Sequence, residues 1–102
     1  MEINDYQNRF LEHIADIQES CVEITLAQHK IVEKQQYEEM KSLLMEATYD
    51  VIVDIMTMID GYSGFTEDKL DIINKRTGVC LKENPFIELH DAVCEFIKYE
   101  NY

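Results

Sequence analysis

The first sixty residues contain neither glycine nor proline, and within them apolar side chains return every three or four positions. A stretch that lacks the two strongest helix breakers and keeps a 3.6-residue period reads as amphipathic helix. As a single rod it would be about 90 Å long, too long for the core of one small domain, so it must double back. The apolar pattern lapses at "VEKQQ", residues 32–36. That predicts a first helix over about 4–33 and a second over about 36–60, packed antiparallel. A rival break lies at Ser20, where "SCVE" has the spacing of a capping box, with Ser20 as cap and Glu23 reaching back.

The first helix carries two stripes. Phe10, Ile14, Ile17, Cys21, Ile24, Gln28 and Ile31 advance by alternating fours and threes, the spacing of a coiled-coil seam. Asp5, Arg9, Glu12, Asp16, Glu19 and Glu23 advance in the same rhythm along the opposite side. The second helix is apolar around most of its circumference from Leu43 to Ile59, which predicts the central, most buried element. Its narrow polar stripe is Glu46, Asp50, Asp54 and Thr57.

The pattern then changes. "DGYSG" should stop the second helix, with Gly61 in the left-handed C-terminal position. "KLDIINKRTGVCLKE" holds two short apolar runs, Leu70 to Ile73 and Val79 to Leu81, around a polar turn in which Gly78 can supply a positive φ. This predicts a β-hairpin over about 69–82 that packs on the helices or pairs with a partner, because an isolated hairpin is marginal in water. In "ENPFIELHDAVCEFIKYE" a helix over about 85–99 is expected, with Asn84 as cap, Pro85 at the first position and Glu88 in the first turn. Phe86, Leu89, Val93, Phe96 and Ile97 form its apolar face. The expected architecture is one α+β domain over 1–102, mostly α: two long antiparallel helices, a hairpin and a closing C-terminal helix.

Charge excludes whole classes of function. With 21 acids against nine bases the chain carries −12, so it repels nucleic acid and anionic membrane and attracts cationic partners. Cys21, Cys80 and Cys94 are odd in number and lack C-x-x-C spacing, which suggests neither a disulfide framework nor a zinc knuckle. The opening "MEINDYQNRF" is acidic and has no secretory pattern, and the apolar run Val51 to Ile59 is interrupted by Asp54. A soluble cytoplasmic protein is expected.

Catalytic and cofactor motifs are scarce. His13, His29 and His90 each lack a glutamate three residues before, as a di-iron bundle requires, and H-E-x-x-H is missing. The three glycines match neither phosphate-loop pattern. Glu46, Asp50 and Asp54 lie in a straight row that encloses no cation. His90 and Cys94, four apart on one helix, are the best pair for nucleophilic catalysis, although a small buried cysteine beside a histidine is the commoner arrangement. No cofactor and no metal are called for.

Two features point to binding. "GYSGF" places Tyr62 and Phe65 in a glycine-hinged loop, where they either anchor an interface or tuck back under the hairpin. The acidic stripe is a wet helix face on its plainest reading. Residues 1–29, however, hold six acids and one base, and like charges at i, i+4 cost a few tenths of a kcal/mol each. A basic partner would relieve that repulsion and be steered in by it.

At "MIDGYSGF" and "LDIINKRTGVCLKENPFIELHDAVCEFIKYE", within residues 58–99, the chain resembles small bacterial proteins of unknown function, some encoded like immunity proteins beside polymorphic toxins. The short motifs "IDGY", "TG" and "ELHD" carry the likeness. The resemblance implies a cytoplasmic antidote that blocks a toxin by binding it, and it transfers no catalytic residue. Together with the charge it leads to a non-enzymatic inhibitor of a basic partner such as a toxin, contacted through Asp5, Glu12, Asp16, Glu19 and Glu23, with Tyr62 or Phe65 as anchor. The competing expectation is a structural or adaptor module that forms a homodimer through the first helix.

Overall fold

The helix-forming first half folds as a hairpin of two helices in the computed structural model, which describes residues 5–82 and 88–97. Helix α1 is Asp5–Gln28 and helix α2 is Lys34–Ile59. They run antiparallel, with Leu11 in one core cluster with Met56, and Val22 and Leu26 in another with Met45. The reversal occupies 29–33. Lys30 takes a left-handed conformation at φ 55°, and the N–H of Ile31 returns to the Leu26 carbonyl at 3.1 Å. Glu33 then caps α2, its carboxylate accepting the N–H groups of Gln35 at 3.1 Å and Gln36 at 2.7 Å. No break occurs at Ser20, where α1 runs on with Gln18 and Val22 buried on either side.

The packed face of α1 coincides with the expected seam only in part, at Phe10 and Ile14, with Ile31 following in the turn. Gln7, Leu11, Gln18, Val22 and Leu26 are buried, while Ile17, Cys21 and Ile24 are exposed. Two inward glutamines explain the rotation. Gln18 Nε2 donates to the Met45 carbonyl at 3.3 Å and to Thr48 Oγ1 at 3.1 Å, and Gln7 Nε2 donates to the Leu81 carbonyl at 2.9 Å. A hydrogen-bonded amide is tolerated in a core, so the true contact face includes polar residues that a hydrophobic pattern passes over. Nor is α2 the most buried element. Of its side chains Met45 and Met56 are buried, whereas Leu43, Val51 and Ile55 are exposed. On the side of α2 turned away from α1 and α3 no further helix among the described residues covers these side chains.

The hairpin expected over 69–82 does not form, and with it the α+β class gives way to an all-helical one: among the described residues there is no β-strand, only an isolated antiparallel bridge between Ile73 and Cys80. Backbone pairing is limited to the Asn74 N–H on the Val79 carbonyl at 2.9 Å and the Leu81 N–H on the Ile72 carbonyl at 3.0 Å, and side chains take over on either side of it. Asp71 Oδ1 accepts from Ile72 N–H and from Lys82 N–H, and Asn74 Oδ1 accepts from the N–H groups of Arg76 and Thr77. Asx bonds of this kind compete with sheet pairing, and two runs of three or four apolar residues with no third strand cannot outweigh them. Gly78 does adopt a positive φ, +78°.

Helix α3 is short, Leu89–Val93. Glu88, placed by its sequence in the first turn of a longer helix, is extended at φ −93°, ψ 148°, so the described helix begins after it. Asn84, Pro85 and Phe86 lie outside the described residues. Leu89, Ala92, Val93 and Ile97 complete a core with Leu11 and Met56. A Schellman-type reversal leads into this region from α2, with Gly61 at φ +88°. A β-carbon there would meet the Asp68 carbonyl oxygen at 2.8 Å, so only glycine fits.

Candidate functional site

The acidic stripe of α1 is divided by its surroundings. Glu12, Asp16 and Glu19 are exposed and make no ion pair among the described residues. Glu23 is engaged: Lys41 Nζ lies 2.6 Å from its Oε1, and the Tyr37 hydroxyl donates to its Oε2 at 2.7 Å. Hydrogen bonds from Lys41 and then Tyr37 hold the Glu23 carboxyl below its usual value, while Glu23 in return raises the Lys41 ammonium. The side chain of Asp5 lies outside the described atoms. Asp16, Glu19, Ser20, Glu23 and Ile24 line a shallow trough. The surface thus presents free carboxylates beside an exposed isoleucine, a combination suited to a lysine or arginine with a long apolar stem.

Tyr62 and Phe65 are not part of that surface. They follow the C-terminal end of α2, in a segment tied back to the start of α1 by the bonds from Asn74 Nδ2 to the Tyr6 hydroxyl and from Gln7 to Leu81. Glu23 lies about 24 Å further along α1 by helical rise. Phe65 is 72% exposed and does not tuck under the following loop. Tyr62 is held in place. Its hydroxyl donates to Glu88 Oε1 at 3.0 Å and accepts from Lys69 Nζ at 3.1 Å, and its ring meets His90 edge-on at 5.4 Å.

The densest polar cluster was not among the sequence candidates. Asp60, fully buried at the end of α2, receives the His90 N–H at 2.8 Å and approaches His90 Nδ1 at 2.6 Å, and its Oδ1 pairs with Lys82 Nζ at 2.8 Å. Burial pushes the Asp60 carboxyl up. The His90 backbone N–H, Lys82, the His90 ring and the Leu89 N–H outweigh it and hold the carboxyl below its ordinary value. Asp60, Glu88 and His90 place ligand-type atoms within 4.8 Å of one another, yet Lys82 and Lys69 already neutralise the two carboxylates. The cluster is therefore an ionic knot joining α2, the 61–82 loop and α3. One signal in the sequence marks it: Asp60 sits at a helix C-terminus, where the dipole disfavours a carboxylate unless cations attend it. His90 and Cys94 do not form a nucleophile pair, since the thiol donates to the His90 carbonyl at 3.2 Å while the ring faces Asp60.

A second surface lies between the two long helices. An open groove of about 270 Å³ is lined by Ile17, Cys21, Ala47, Val51 and Ile52 with Gln18 and Thr48 beneath. Comparison with protein-family models, with curated proteins and with solved structures finds no match to this chain. No helix of the described residues is long and apolar enough to cross a membrane.

Proposed function

We propose that this chain is a non-enzymatic acidic binding protein that neutralises a basic protein partner, most concretely an immunity protein that inhibits a toxin in the cytoplasm. The observation that carries this reading is the exposed row Glu12, Asp16 and Glu19, three carboxylates with no ion pair among the described residues, on a chain of charge −12. Holding like charges at helical spacing costs stability. Cations of a partner remove the cost and gain from long-range steering. Glu23 contributes less, because Lys41 and Tyr37 already hold it. Phe65, exposed in its loop, remains an anchor for a partner large enough to span both ends of the hairpin.

The competing reading, a homodimer through α1, draws on the exposure of Ile17, Cys21 and Ile24. The test is capture of partners from the producing cells at low and then high salt, with the wild type and with the triple variant Glu12→Lys, Asp16→Lys, Glu19→Lys. A basic protein retained by the wild type, released by salt and lost from the triple variant is the expected result. Equal retention by the variant rejects the stripe as the binding surface.

A further inference from the structure

The apolar groove has a lining and a charged rim that together select its occupant. Ile17 is 53% exposed, Ile24 55%, Val51 57% and Ile55 45%. Four large aliphatic side chains half in water on two adjacent helices form the kind of patch that soluble proteins keep for a partner. On α2 the row Leu43, Ala47, Val51 and Ile55 advances by fours, and beside it runs an exposed acidic row, Glu46, Asp50 and Asp54, also advancing by fours. On α1 the exposed Ile24 continues the line of Ile17 and Cys21, while the trough that it shares with Asp16 and Glu19 is a separate surface turned away from the groove. The strip is thus apolar along its floor and acidic along its α2 rim.

A second copy of this chain fits the floor and not the rim, since it would bring its own acidic rows and a further −12 of charge against it. A segment with apolar residues at i, i+3, i+4 and i+7 and lysines or arginines on its flanks satisfies both. Helical form matches as well, because a cleft between two packed helices receives the ridge of a third. Resting on the basic-partner reading above, we infer that the α1–α2 groove is the docking surface for a basic amphipathic helix of that partner, with Ile17 and Val51 receiving its apolar face and the α2 row Glu46, Asp50 and Asp54 its cations.

The probe is a labelled peptide of leucine and lysine, about five turns long, with its leucines on one helical face, titrated against the full chain by fluorescence anisotropy. Its control is a scrambled peptide of identical composition that cannot gather the leucines. The amphipathic peptide is expected to bind at least about tenfold more tightly than the control, and Ile17→Asp or Val51→Asp to remove about tenfold each. Both positions are exposed, so circular dichroism of these variants should match the wild type. Equal binding of the two peptides overturns the groove and leaves the basic-partner reading standing, whereas binding of neither overturns both. A concentration-dependent dimer in sedimentation, dissolved by Ile17→Asp, overturns the inference in favour of a second copy.

Discussion

The two ends of the helical hairpin are built from the same two helices and differ in how many neighbours they have. At the end where α1 begins, α2 hands over to the loop and α3, and Leu11, Leu89 and Val93 are wholly buried around Met56. The buried Asp60 knot closes that end. At the turn end Val22, Leu26 and Met45 are flanked by Ile31, Tyr37 and Leu44, and the ionic cluster there, Glu23 with Lys41 and Tyr37, lies at the surface. The radius of gyration, 15.8 Å, exceeds the roughly 13 Å of a compact chain this long, as a two-helix projection requires. Buried contacts are concentrated at the closed end, whereas exposed aliphatic and acidic side chains run the length of both helices.

Removing the knot should have the largest effect. Asp60→Ala strands Lys82 and the His90 N–H in a buried site and is expected to cost about 3–4 kcal/mol, read from denaturant unfolding. A loss below about 1 kcal/mol, within the range of a surface ion pair, would mean that packing alone closes that end. Next come two leucines of equal chemistry: Leu11→Ala at the closed end should cost about 3–4 kcal/mol and Leu26→Ala near the turn about 2 kcal/mol, because a two-helix layer collapses more readily on a cavity. Equal losses would erase the contrast.

Acid should separate the two polar clusters. Asp60 is held below its ordinary 3.8 and Glu23 below its ordinary 4.5, so the unfolded chain binds more protons than the folded one at low pH. The stability each contributes is complete above those ordinary values and is lost as pH falls through the lower folded ones. Unfolding free energy measured against pH should decline below about 4.5; Asp60→Asn should flatten that decline strongly and Glu23→Gln only slightly, its pair being partly exposed. The smallest effect is expected at Lys30. Its left-handed backbone, φ 55°, is relieved in Lys30→Gly, which should add about 0.5 kcal/mol after the greater entropy of the unfolded glycine is subtracted. Slower hydrogen exchange confined to the turn end would accompany it.

Much of the helical half was legible because local signals suffice there: the lack of Gly and Pro, the 3.6-residue period, and Gly61 at a left-handed stop. The hairpin was misread in extent: backbone pairing spans only Ile72 to Asn74 and Val79 to Leu81, and beyond it Asp71, which looks like an ordinary turn residue, takes the Lys82 N–H that a longer ladder would need. The seam was misread for a related reason, since Gln7 and Gln18 reveal their inward role only through acceptors 74 and 27 residues away. Of the candidate binding residues, Glu12, Asp16 and Glu19 stand where the stripe places them. The quoted motifs "IDGY" and "ELHD" meet at the knot, through Asp60, Tyr62, Glu88 and His90, which gives them a structural role in this chain.

By itself the sequence determined that the first half is helical, that it doubles back close to 32–36, three residues beyond the observed reversal at 29–33, and that one face of α1 is acidic. These follow from backbone propensity and from charges counted along a helix, which are properties of neighbouring residues. Tertiary structure alone decided which face of α1 is buried, that the pairing of 72–74 with 79–81 stops at a single bridge, and that Asp60 is held by Lys82 and His90. Those outcomes depend on satisfying buried polar groups with partners far away in the chain, and no local pattern records where such a partner will be.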